Sequence, residues 1–195
     1  MIQRVAVYCS ASDGVPQPYN DAAYRLGRLL AEAGIEVVYG DGGIGLMKWL
    51  AEGALSAGGK VTGVIPQFMV EQGWNNPRST QTIVTASMHE RKAAITRMVD
   101  AMVALPGGIG TMEELFECLT WKQLGLHGKP IVIVNTNGFF NPILAALDKM
   151  AAEQFMQPVH RNEMFTVVSE PEQVLSAIAA ARTWGENMRD QARTV

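Results

Sequence analysis

The chain lacks an excess of charge of either sign. Lys plus Arg number 16 and Asp plus Glu 19, a formal net charge of -3 with a pI near 5.6. Without a basic excess there is no electrostatic footprint for a nucleic-acid backbone or an anionic membrane, so neither is expected as a partner. Cysteine is scarce: Cys9 and Cys118 stand far apart, without metal-ligand spacing, and are expected to be reduced core residues of a cytoplasmic protein. No apolar run approaches the roughly 20 residues of a membrane-spanning helix. The first ten residues carry too short an apolar run for a signal peptide. His127 and His160 have no companion ligands, so no metal site is expected. There is no G-x-S-x-G elbow and no Cys–His pairing.

What remains is an ordinary globular composition, 48% hydrophobic and 18% charged, which argues against disorder. The length of 195 residues fits one domain spanning 1–195, with a polar tail at 185–195 expected to fray. Short apolar runs alternate with longer amphipathic ones. Strands are expected at Val5–Tyr8, Ile35–Tyr39, Val61–Ile65, Thr82–Thr85, Ala101–Leu105, Ile131–Val134 and Phe165–Val168. Helices are expected at Tyr19–Ala33, Leu46–Ala57, Met88–Val99, Met112–Leu124, Phe140–Gln154 and Glu172–Arg182. Trp49, Trp121 and Trp184 are read as packing residues on helices, and Gln72–Ser79 as a surface loop. Continuous apolar strands, each followed by a helix, predict an α/β fold: a doubly wound, mostly parallel sheet of about seven strands with helices on both faces.

Ligands of such a sheet bind beyond the carboxyl ends of the strands. Three loops fall there: Ser10–Gly14, Gly40–Gly45 and Pro106–Thr111. The last two are glycine-rich strand-to-helix turns, which let a backbone approach closely and present a helix N-terminus, so a phosphate is the natural guest. Gly40, Gly42 and Gly45 match G-x-G-x-x-G. The next strand ends Gly63-Val64-Ile65-Pro66-Gln67, without the acidic residue a dinucleotide needs. NAD is therefore disfavoured, and taken alone this loop reads equally as a tight turn that lets helix and sheet pack closely. In the second loop Thr111 and Glu114 have capping-box spacing. Alternatively, the Glu114 carboxylate meets a sugar near its anomeric carbon. Met88-His89-Glu90-Arg91-Lys92 opens a helix with adjacent cations that oppose its dipole, so either an anion lies nearby or the turn is simply solvated. Arg91 can hold an anion as a planar fork, which Lys92 cannot.

Pro106 to Glu114 fits PGGxGTxxE and Met88 to Lys92 fits M-H-x-R-K. Together they resemble the Lonely Guy family of cytokinin riboside 5'-monophosphate phosphoribohydrolases, long mislabelled as lysine decarboxylases. The likeness runs from about Val5 to about Phe155. It implies a Rossmann-like homodimer that hydrolyses the N-glycosidic bond of an adenine-type nucleoside 5'-monophosphate, with no cofactor. By motif matching it implies Arg91 and Glu114 as the catalytic pair. Lys92, Gly107, Gly108, Gly110, Thr111 and Thr120 would bind the nucleotide, with Met88, Ile109 and Glu113 from the same motifs, Ser10 and Gly43 from the other loops, and Glu71 by a weaker correspondence. A carrier that binds nucleotide without cleaving it is the alternative on this fold. A decarboxylase would want a Schiff-base lysine, and no lysine here has a supporting motif. The chain departs from the family's Y-G-G-G and G-L-M-G at Asp41 and Lys48. Asp41 would repel a phosphate unless it points to solvent or pairs with Lys48.

Overall fold

The computed structural model describes residues 1–182 and 184. Seven strands form one sheet: β1 (Arg4–Tyr8), β2 (Glu36–Tyr39), β3 (Val61–Pro66), β4 (Gln81–Thr85), β5 (Ala101–Ala104), β6 (Ile131–Val134) and β7 (Thr166–Val168). All pairings are parallel, in the order β4-β3-β2-β1-β5-β6-β7. The fold class is thus as the apolar periodicity predicts. Chain direction across the sheet reverses at β1, so the crevice between the ends of β1 and β5 is the topological switch point.

Strands of this kind read as unbroken apolar runs because both faces are covered. In β1, Val5 and Val7 join the core under α1 (Gln17–Glu32), α2 (Gly45–Ser56) and α8 (Val174–Ala180). Ala6 and Tyr8 join the opposite core, under α4 (Met88–Met98), α5 (Ile109–Gln123) and α6 (Asn141–Ala152). Each fully buried Val, Leu or Ile contributes about 1.5–3 kcal/mol. Two short helices, α3 (Gln67–Glu71) and α7 (Pro158–Glu163), were not legible as amphipathic periods because neither spans two turns.

Two local expectations are corrected. The Thr111–Glu114 capping box does not form: the N-cap of α5 is Gly108, and Thr111 lies inside the helix. The box-like cap belongs to α4, where Ser87 Oγ accepts from the Glu90 amide at 3.2 Å and Glu90 accepts from the Ala86 amide at 2.9 Å. Trp184 follows the last helix rather than lying on it, and its Nε1 donates to the Lys122 carbonyl at 2.9 Å. The tail at 185–195, expected to fray, lies outside the described residues. Cys9 and Cys118 are buried free thiols. No helix among the described residues is long and apolar enough to cross a membrane.

Candidate active site

A pocket of about 730 Å³ opens at the carboxyl ends of β1, β2, β3 and β5. The switch point is closed beneath it by two backbone bonds, Leu105 N to Tyr8 O and Ser10 N to Pro106 O.

The two glycine loops are not equivalent. The α2 N-terminus is already used by the protein: the Gly45 amide donates to Asp13 Oδ1 at 2.8 Å and the Met47 amide to Ser10 O at 3.2 Å. The α5 N-terminus has no side-chain cap. Its first-turn amides therefore keep their donors, and the helix dipole, for a guest. Gly108, Gly110 and Thr111 line the pocket there. Of the two turns, the second is the one without a side-chain cap on its helix.

Arg91 and Glu114 meet in the same pocket. Arg91 Nη2 lies 3.3 Å from Glu114 Oε1, with the two side chains 5% and 6% exposed. The guanidinium is fixed on its other edges: Nε donates to Val64 O at 3.0 Å, and Nη1 faces Met88 Sδ at 3.6 Å. Burial raises the Glu114 carboxyl to about 7; Arg91 opposes this, and Glu113 adds to it. A carboxyl poised there exchanges a proton readily near neutrality.

Lys92 turns the other way. Its buried ammonium is held by Glu113 and, at 3.0 Å, by Glu117. Burial pushes it down, but these carboxylates outweigh that and hold it above its usual range. The adjacent cations of the M-H-x-R-K run are therefore answered first by the protein's own α5 carboxylates.

Of the residues expected at the site, Ser10, Gly43, Met88, Arg91, Gly108, Gly110, Thr111, Glu113 and Glu114 line the pocket. The Gly43 amide is already donated to the Trp74 carbonyl. Lys92, Gly107, Ile109, Thr120 and Glu71 lie outside the lining. Gly107 packs on the Thr111 side chain, Ile109 points to solvent, Thr120 Oγ1 donates to Phe116 O, and Glu71 accepts from Gln67.

The sequence reading missed the apolar half of the pocket. Ile44, Met47, Ile65, Met69, Trp74 and Pro77 line it, with Cys9 beside them. Burial pushes the Cys9 thiol well up. Methionines such as Met47 and Met69 are indistinguishable from core filler in a sequence, and the 72–79 loop has no periodicity to flag it. Asp41 is also corrected: it neither points to solvent nor pairs with Lys48. It is fully buried, with Ser79 Oγ donating to Oδ1 at 2.5 Å and Thr82 Oγ1 to Oδ2 at 3.0 Å. Burial raises its carboxyl, against these hydrogen bonds and the attraction of Arg91. Lys48 lies over the Trp49 ring instead. Among the described residues no group of three or more His, Cys, Asp or Glu is placed to hold a metal.

A family profile described as "possible lysine decarboxylase" matches residues 47–178. A probable cytokinin riboside 5'-monophosphate phosphoribohydrolase of Oryza sativa subsp. japonica, LOGL1, is 44% identical over 168 residues, 86% of this chain and 74% of the relative. The rice cytokinin riboside 5'-monophosphate phosphoribohydrolase LOG is 40% identical over 173 residues, 89% of this chain and 72% of the relative. Among solved structures, a Moco carrier protein from Chlamydomonas reinhardtii superposes with a TM-score of 0.69 at 21% identity, covering 92% of this chain and 96% of that one. The molybdenum cofactor binding protein of Rippkaea orientalis gives 0.68 at 19%, covering 92% and 97%. At such identity these two speak to the fold alone. The profile takes in well over half of the chain, and the sequence relatives extend the match across most of it: the chain belongs to the Lonely Guy family.

Proposed function

We propose that the protein hydrolyses the N-glycosidic bond of adenine-type nucleoside 5'-monophosphates, giving free base and ribose 5-phosphate. One observation carries the reading: a buried, ion-paired carboxylate of raised pKa shares a pocket with an uncapped helix N-terminus. Relatives about 40% identical along most of the chain bear the names of enzymes of that reaction.

The 5'-phosphate sits against the α5 amides around Gly108–Thr111, and the base lies along the apolar wall. The C1'–N bond breaks, water oxygen bonds to C1', and the base leaves with a proton. Positive charge develops at the anomeric carbon in the transition state. Ionised Glu114 stabilises that charge or orients the water. Arg91 holds Glu114 in place and contacts the nucleotide. The reaction consumes water only, so no cofactor enters.

The decarboxylase in the family's description finds no support in this pocket. No lysine lines it. The buried Lys92 is locked by two carboxylates, and burial brings Lys122 down to about 8 beneath Trp184, with Nζ donating to Met164 O. A carrier would need the phosphate cradle but not a buried Arg–Glu pair.

The test is chromatographic. Purified protein with AMP or N6-isopentenyl-AMP should release base, and the unphosphorylated nucleosides should react at least about 10²-fold more slowly. No base release from any nucleoside monophosphate would overturn the reading. We further propose a cytoplasmic homodimer, for which Ile109, Leu124 and Leu126 leave exposed apolar surface on and after α5. Sedimentation at the monomer mass would refute the dimer.

A further inference from the structure

The 72–79 segment forms one wall of the pocket through Gly73, Trp74, Asn75 and Pro77. Its start is tied to α3 by Gly73 N to Val70 O and Trp74 N to Met69 O, and Arg78 pairs with Glu52. The middle and end of the segment are tied by a further set of bonds that gathers on one residue, Asp41. The Asn76 amide donates to the Asp41 carbonyl at 2.7 Å, and Ser79 Oγ donates to its carboxylate at 2.5 Å. Because the Ser79 proton lies on Asp41, the Tyr39 hydroxyl, 2.9 Å from Ser79 Oγ, must donate to it. Asn76 Nδ2 in turn donates to Tyr39 at 3.0 Å. Three side chains thus point their donors along one line that ends on a buried carboxylate. From β4, Thr82 Oγ1 occupies the second carboxylate oxygen.

Room is made for this arrangement. Asp41 adopts φ +59, and a Cβ at Gly63 on β3 would overlap its carboxylate. Just after Asp41 the backbone also meets the segment: Gly42 and Asn75 form an antiparallel bridge, and the Gly43 amide donates to Trp74 O.

We propose that Asp41 is a positioning residue for ligand selectivity: it clamps the 72–79 segment as a preformed wall at the end of the pocket that takes the base. The inference rests on the proposed function for which end is which, and on geometry alone for the clamp. Asp41 touches no substrate. It acts through Trp74 and its neighbours, and does so away from the α5 amides that take the phosphate.

Two variants separate the clamp from mere charge. Asp41→Gly removes the carboxylate, whereas Asp41→Asn keeps an acceptor for Ser79 and a donor for the Thr82 hydroxyl. Hydrogen exchange without ligand is read at the Trp74 and Asn76 amides. It should quicken about tenfold or more in Asp41→Gly and stay near wild type in Asp41→Asn. In turnover, Asp41→Gly should raise KM for AMP about tenfold, with inhibition by ribose 5-phosphate, which lacks the base, unchanged within about twofold. If Asp41→Gly does not fold, the double variant Ser79→Ala, Thr82→Val releases the same clamp from its other side and should show the same split. Unchanged exchange overturns the proposal, and so does an equal loss of AMP and ribose 5-phosphate binding. If wild type cleaves no nucleotide, the proposed function fails while the exchange measurement still decides the clamp.

Discussion

The Arg91 guanidinium and the Glu114 carboxylate stand 3.3 Å apart near the first turns of two different helices, both nearly withdrawn from water. Burial penalises each charge of such a pair, and their mutual attraction offsets that penalty. Removing one partner strands the other, at a cost of about 3–5 kcal/mol. Glu114→Gln keeps the shape and leaves a neutral acceptor for Arg91, so it should fold. Base release from AMP should fall about 10²- to 10⁴-fold, with an unchanged circular dichroism spectrum. A loss of less than tenfold would remove Glu114 from the chemistry. Arg91→Lys keeps the charge but cannot bond Val64 O and face Glu114 at once, and kcat/KM should drop about 10²-fold.

The acid limb of activity should report Glu114. Its carboxyl lies at about 7, raised first by burial. If the ionised form works, log kcat/KM should rise with unit slope below about pH 7 and level off above it. Glu113 contributes to the upward shift, so Glu113→Gln should move the limb to lower pH. A profile flat from pH 5 to 8 would contradict the assignment.

The same shift makes a stability prediction of definite sign. Between the ordinary carboxyl value of 4.5 and about 7, folded Glu114 holds a proton that the unfolded chain has lost. Its contribution is therefore present below pH 4.5 and is lost as pH rises through 7. Glu114→Gln has no such loss. Its Tm minus that of wild type should grow more positive from pH 4.5 to 8, and scanning calorimetry across that range checks the trend.

Two neighbouring glycines should behave oppositely. A Cβ at Gly107 would overlap the Thr111 side chain and crowd the Ser10 amide, so Gly107→Ala should destabilise by about 1–3 kcal/mol. A Cβ at Gly110 meets no protein atom within 4 Å, and the residue lies in the first turn of α5. Gly110→Ala should stabilise the helix by up to about 1 kcal/mol and raise KM, because its methyl group stands where the phosphate goes. Thermal melts and initial rates on the same preparations distinguish the pair.

The sheet was legible in the sequence because strands buried on both faces, such as Val5–Tyr8 and Ile131–Val134, leave no room for polar residues. Both glycine-rich turns were legible as strand-to-helix junctions, but nothing in them says that the α2 amides are taken by Asp13 and Ser10 while α5 has no side-chain cap. The wall at Trp74–Pro77 was not: its position follows from tethers to Asp41, a contact between distant stretches that local pattern does not encode. Asp41 was expected to repel a phosphate unless it pointed to solvent or paired with Lys48, and burial against Ser79 and Thr82 is neither. Only the folded chain brings together its three donors, the Asn76 amide, Ser79 and Thr82, with Tyr39 behind Ser79. Lys92 was read as a ligand contact from its motif, and no pattern in one sequence says that Glu113 and Glu117 already hold it.

Sulfur lines the pocket in two very different chemical states. The Cys9 thiol is kept protonated by its burial and should ignore alkylating reagents at neutral pH. The thioethers of Met47, Met69 and Met88 need no ionisation to react. Peroxide would therefore wet the greasy side of the cavity with sulfoxides while leaving the thiol intact, and inactivation should be reversed by methionine sulfoxide reductase rather than by dithiothreitol.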